Sequence, residues 1–192
     1  MLKVVVLASG TGSLTKALID AEKADVLQAH LVAVGADREA DVLGIAAAAG
    51  LPTFLVFPAD FASRDDWNAA LAQAVEASKP DLVVSAGFMR ILGAPYLERL
   101  GRITINTHPA MLPAFPGAHA VRDALAAGVS QTGCTVHRVT ADMDAGPILA
   151  QTLVPVLPGD TEETLHERIK KVERLQLVAV INQIAAGAIS LT

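Results

Sequence analysis

The sequence predicts a doubly wound α/β fold with a mostly parallel central sheet. Three observations lead there. Short β-branched runs alternate with helix-patterned segments along the whole chain, the sequence signature of strand–helix–strand units. The opening run "KVVVLAS" (3–9) is continuously apolar rather than alternating, as a strand covered on both faces must be. The hydrophobic share is 52% with only 4% aromatic, so the core is built from Ala, Val, Leu and Ile. At 192 residues one domain over 1–192 is expected, large enough to bury about 70% of its unfolded surface.

Each element follows from local pattern. After the first strand, "SLTKALIDAEKA" (13–24) reads as a helix with Ser13 as N-cap and Leu14, Ala17, Leu18 and Ala21 on one face. A strand at 30–36 is followed by a helix at 39–50, stopped by Gly50. "TFLVF" (53–57) is a strand, and a helix over 63–79 enters at Ser63 and ends before Pro80. A strand at 81–87, a short helix at 94–100 and the strand "RITIN" (102–106) come next. A helix at 118–127, strands at 132–139 and 147–156, and a helix from Thr161 complete the set. The uncharged run at 175–191 is short for a membrane span and interrupted by Gln176, Asn182, Gln183 and Gly187. It reads as a buried or subunit-facing helix, which leaves a homodimer open.

Composition narrows the function. The net charge is −5, and no Lys/Arg cluster occurs, which argues against nucleic acid or an anionic membrane as partner. "MLKVVVLASG" reads as a first strand, not a signal peptide. The single cysteine, Cys134, reads as a small core residue, excludes an internal disulfide framework, and fits a cytoplasmic setting. The five histidines (30, 108, 119, 137, 166) form no H-x-H or H-x-x-x-H pair, so no metal site is expected. His137 reads as a structural strand histidine, His30 and His166 as surface ones.

In parallel sheets ligands bind at the carboxyl ends of the strands. Those ends carry "SGTGS" (9–13), "GADRE" (35–39), "AGFMRIL" (86–92) and "NTHPA" (106–110), which should share one rim. Gly10 and Gly12 suit a phosphate cradled by backbone N–H groups. With Asp37 at the end of the second strand they also suit a nicotinamide enzyme, or a tight turn with no ligand. Asn106 and His108 are two apart and point the same way from an extended chain, where amide and imidazole can serve one carbonyl oxygen and its proton. Prolines 109, 113 and 116 stiffen the exit from that strand. Asp142 and Asp144 lie in a turn-like loop before the next strand and add a carboxylate. A ligand-binding module without catalysis remains the other class.

The stretches "SGTGS", "AGFMRIL", "INTHPAMLPAFPGAH" and "GCTVHRVTADMDAGPILAQ", with the run "ERIKKVE" (167–173), occur in an order and at spacings that resemble the folate-dependent formyltransferases. Within them, "PGAH" and the single-domain length resemble the phosphoribosylglycinamide branch. The resemblance covers essentially the whole chain and implies a Rossmann-like formyltransferase fold. It also implies 10-formyltetrahydrofolate as co-substrate, without a metal. The implied acceptor is the amine of 5-phosphoribosylglycinamide in purine biosynthesis; an amino-sugar nucleotide is the alternative acceptor.

Carried over by position, the resemblance implies Asn106, His108 and Asp144 as the catalytic trio. It implies Gly12, Ser13 and Leu14 at the substrate phosphate and Glu173 at its ribose. Arg64, the segment Met89, Arg90, Ile91 and Leu92, and the loop Thr140, Ala141, Asp142, Met143 and Asp144 would form the folate pocket together with Asn106. His119 and Thr135 would support the trio. Two positions depart from the family pattern: Leu14 stands where an Asn is expected and Lys170 where a neutral residue is expected.

Overall fold

The computed structural model describes residues 1–191. Its seven-stranded sheet has the order β3-β2-β1-β4-β5-β6-β7. The strands are β1 (Leu2–Leu7), β2 (Ala29–Ala36), β3 (Thr53–Leu55), β4 (Leu82–Ser85), β5 (Thr104–His108), β6 (Gln131–Arg138) and β7 (Ile148–Pro155). The first five in spatial order are parallel; β6 and β7 run antiparallel to their neighbours. The expected doubly wound, mostly parallel sheet is therefore present.

Strand alternation builds a core on each face of the sheet. Val4 and Val6 of β1 meet α1 (Ser13–Lys23), α2 (Asp41–Ala48) and α6 (Glu162–Ala185) through Leu18, Val42, Leu177 and Ile181. Val5 and Leu7 face the other way, onto α3 (Arg64–Glu76) and α4 (Ala94–Leu100) through Trp67, Leu71, Val75 and Tyr96. A smaller cluster joins Val121 of α5 (Ala120–Ala126) to Cys134, Val154, Leu165 and Ile169. The apolar C-terminal run thus lies under the sheet, with Leu177, Val180 and Ile181 almost wholly buried. No helix among the described residues is long and apolar enough to cross a membrane.

Two local expectations are corrected. Ser13 is the first helical residue of α1, not its cap; the cap is Gly12, at φ 72°, with no side-chain hydrogen bond. The strand expected at 102–106 runs instead from Thr104 to His108, after a 3-10 turn over Gly101–Ile103. Antiparallel pairing with β6 continues to His108 opposite Thr135, and that pairing keeps Asn106, Thr107 and His108 extended. Ser63 does cap α3, accepting the Asp66 N–H at 3.1 Å. Gly50, at φ 80°, follows α2 as a stop.

Candidate active site

The end of β5 organises the site. The Ser85 hydroxyl donates to Asn106 Oδ1 at 2.7 Å from the neighbouring strand. Asn106 Nδ2 lies 3.2 Å from His137 Nε2, and His137 Nδ1 lies 3.0 Å from the Arg138 carbonyl. A carbonyl only accepts, so His137 Nδ1 carries hydrogen, and in the neutral ring Nε2 accepts from the asparagine. One Asn106 N–H is thereby held, and the second remains to donate. His108 Nε2 donates to the Phe115 carbonyl at 2.8 Å, which turns Nδ1 toward Asp144 Oδ2, 3.5 Å away.

Asp144 closes the group. Its Oδ1 lies 3.6 Å from His137 Nε2, and Oδ2 accepts the Gly117 N–H at 2.8 Å. The adjacent His137 imidazole, with the Gly117 amide and the nearby His108, outweighs burial and holds the Asp144 carboxyl below its ordinary range. Asp144 adopts a left-handed backbone, φ 54°, a conformation that costs of order 1–3 kcal/mol for a non-glycine residue and clusters at functional sites. Gly146 allows this turn. A Cβ there would fall 1.8 Å from the Arg138 carbonyl oxygen, so only glycine lets the loop lie against β6.

The stiffened exit now has a physical account. Thr135 Oγ1 donates to the Ala110 carbonyl at 2.7 Å and accepts the Leu112 N–H at 3.1 Å. Gln151 Nε2 donates to the Leu112 carbonyl at 2.7 Å. Anchored there, the proline-braced segment turns back and delivers the Phe115 carbonyl to His108 and the Gly117 amide to Asp144.

A cavity of about 650 Å³ opens over these groups. The trio lines its centre. At one end stand Gly10, Thr11, Ser13 and Leu14 at the start of α1, with Glu162, His166, Lys170 and Glu173 of α6. At the other end lie Met89, Arg90, Ile91 and Leu92, with Thr140, Asp142 and Met143. The Met89, Ile91 and Met143 side chains are largely exposed at this mouth and give it an apolar surface.

Several expected positions fall elsewhere. Gly12 does not line the cavity; a Cβ there would sit 2.7 Å from Val42 Cγ2, so its glycine serves the packing of α1 on α2. Ala141 does not line the cavity. Arg64 lies in an adjoining groove of about 540 Å³, donating to the Ile91 carbonyl at 2.6 Å, and so braces the 89–92 segment. Thr135 acts from behind, through the loop backbone, whereas His119 stands exposed on the cavity wall. The "GADRE" end does not join the rim: the Asp37 side chain is wholly buried and takes Arg90 at 2.7 Å and Arg38 at 3.1 Å. Burial would raise its pKa, but the Ser9 hydroxyl and the two guanidinium groups hold it low.

His137 is a buried strand histidine as expected, but its Nε2 also accepts from Asn106 and lies 3.6 Å from Asp144, which makes it part of the site. His166, expected at the surface, lines the cavity, as does Lys170. Ser85, opposite Asn106 in β4, and Thr107, beside it in β5, also belong to the site, through a strand register that local sequence pattern does not reveal.

Residues 2–181 match the family described as Formyl transferase, and the chain belongs to that family. Among curated relatives, phosphoribosylglycinamide formyltransferase of Mycobacterium tuberculosis is 58% identical over 98% of this chain and 87% of its own length. The Escherichia coli protein of the same name is 36% identical over 99% of this chain and 90% of its own. A solved structure of glycinamide ribonucleotide transformylase 1 from Symbiobacterium toebii superposes with a TM-score of 0.95 at 41% identity, covering 97% of this chain and 89% of that one.

Proposed function

We propose that this chain, acting as one domain over 1–192 in the cytoplasm, transfers the formyl group of 10-formyltetrahydrofolate to the amine of 5-phosphoribosylglycinamide. The observation that carries this reading is the convergence of Asn106, His108 and Asp144 at the centre of one cavity with two chemically distinct ends. The apolar mouth at 89–92 and 140–144 suits a flat pteridine, and Arg64 in the adjoining groove supplies a cation near its tail. At the opposite end, the first turn of α1 offers backbone N–H groups without intrahelical partners, an anion site by construction. Leu14 contributes only its backbone there. Lys170 restores charge to that end from α6, where it pairs with Glu167 at 2.8 Å. Glu173 faces the sugar between phosphate and amine.

The chemistry follows from the geometry. Attack of the acceptor amine on the formyl carbon places negative charge on the formyl oxygen. The second Asn106 N–H and the protonated His108 meet that charge, preorganised by Ser85, His137 and the Phe115 carbonyl. Asp144, 3.5 Å from His108 Nδ1, takes the proton the amine must lose. Collapse of the tetrahedral adduct breaks the bond to the folate nitrogen, which takes the His108 proton as it leaves, and the proton that Asp144 received from the amine then reprotonates His108. The nicotinamide reading has no support in the site, because Asp37 is buried among its guanidinium partners and offers no ribose contact.

A spectrophotometric assay of folate release against a panel of amines tests the proposal. Turnover is expected with phosphoribosylglycinamide and not with an amino-sugar nucleotide. The reverse preference, or NADH binding in place of folate release, would overturn it.

A further inference from the structure

The side chains of β5 alternate. Asn106 and His108 serve the trio, whereas Ile105 and Thr107 face α6. Ile105 is fully buried there against Leu177 and Ile181, as an apolar position should be. Thr107 is also buried, with 7% of its surface exposed, yet it carries a hydroxyl. A buried hydroxyl is costly unless hydrogen-bonded. This one donates to Glu173 Oε1 in a short contact, and both residues line the cavity. Glu173 itself is only 4% exposed. Burial raises its pKa, opposed first by the Thr107 hydroxyl and then by Lys170 and Arg174 on its own helix.

We propose that Thr107 is a positioning residue: by donating to one oxygen of Glu173 it fixes the carboxylate so that the other oxygen can receive the acceptor's ribose hydroxyls. Only one carboxylate oxygen is satisfied from within the protein by this contact, and Thr107 selects which. Because Thr107 lies between Asn106 and His108, one strand registers both substrates, the acceptor through one face and the formyl group through the other. This inference rests on the reading that Glu173 contacts the acceptor.

Three variants separate the two claims. Thr107→Val is nearly isosteric and removes only the donor. It is expected to raise KM for phosphoribosylglycinamide roughly tenfold, the loss of one hydrogen bond to a charged group. Its kcat and its KM for folate should stay within about twofold, since the trio's face is untouched. Thr107→Ser restores the donor and is expected to return the acceptor KM toward the native value. Should the valine variant fold poorly, as judged by its melting transition, Thr107→Ala provides the same readout. An unchanged acceptor KM in the folded donor-less variant, or equal losses for both substrates without rescue by serine, would overturn the role of Thr107. Glu173→Gln tests the reading beneath it. If that variant keeps a native acceptor KM, Glu173 does not contact the acceptor, and the failure lies there, not with Thr107.

Discussion

Asp144→Asn isolates the charge of the site. Asparagine has the same shape and tolerates the left-handed backbone, so the φ of 54° at this position does not confound the change. What is lost is a carboxylate 3.5 Å from His108 Nδ1. Two unit charges at the observed 3.5 Å interact by about 5 kcal/mol at an effective dielectric near 20. Desolvation of both partners offsets much of this, and hydrogen bonds to charged groups are worth about 1.5–3 kcal/mol net. Each 1.4 kcal/mol is about a factor of ten in rate, so kcat is expected to fall roughly a hundredfold. The KM for folate should barely move, because the apolar mouth and the 89–92 backbone are intact. Steady-state folate release with both substrates varied reads this directly. A kcat within about threefold of the native value in a folded variant would refute the reasoning and leave Asp144 a turn residue whose charge does no chemistry.

The same substitution carries a pH signature in stability. The folded pKa of Asp144 lies below that of the unfolded chain, about 3.9, so its stabilisation is present above that value and is lost as pH falls through the lower folded one. The native protein should therefore be the more stable in urea at neutral pH. Its advantage over Asp144→Asn should shrink below about pH 4. A gap that stays constant down to pH 2 would contradict the assigned direction.

Three further outcomes are expected. Gly146→Ala should lower kcat while sparing the acceptor KM, because the new Cβ, 1.8 Å from the Arg138 carbonyl oxygen, must displace the Asp144 loop; native turnover would refute the packing account. Ile181→Ala should cost about 2–5 kcal/mol in urea denaturation with no change in sedimentation, since the residue is buried under the sheet and not between subunits. Lys170→Ala should raise the acceptor KM severalfold at low salt, with the difference fading as ionic strength rises; a salt-independent effect would assign the lysine to packing.

The fold was legible because its signals are local. Continuous apolar strands, caps such as Ser63 and stops such as Gly50 act over a few residues. Boundaries slipped where a partner decided them: β5 extends to His108 because β6 pairs with it, about thirty residues further along the chain. The site was legible in the same measure. Asn106 and His108 announce themselves by spacing, but nothing near position 137 in the chain shows that its imidazole orients Asn106, 31 residues earlier, and lies beside Asp144. Its sequence neighbours mark His137 as one more strand residue. Only the antiparallel register, which sets Asn106 opposite His137, turns it into part of the machinery.

Asp37 fails in the opposite sense. A strand-end acid after a glycine turn matches the pattern for binding a ribose, yet the same carboxylate can bind an arginine brought in from another loop, here Arg90, 53 residues away. Its ion pair with Arg90 takes the acid out of the rim and at the same time tethers the 86–92 segment that forms the apolar mouth. Loss of the Asp37 charge is therefore a disturbance of the cavity wall at a distance from the trio. Sequence pattern names residues able to do chemistry, and long-range pairing decides which of them face the substrate and which hold the wall in place.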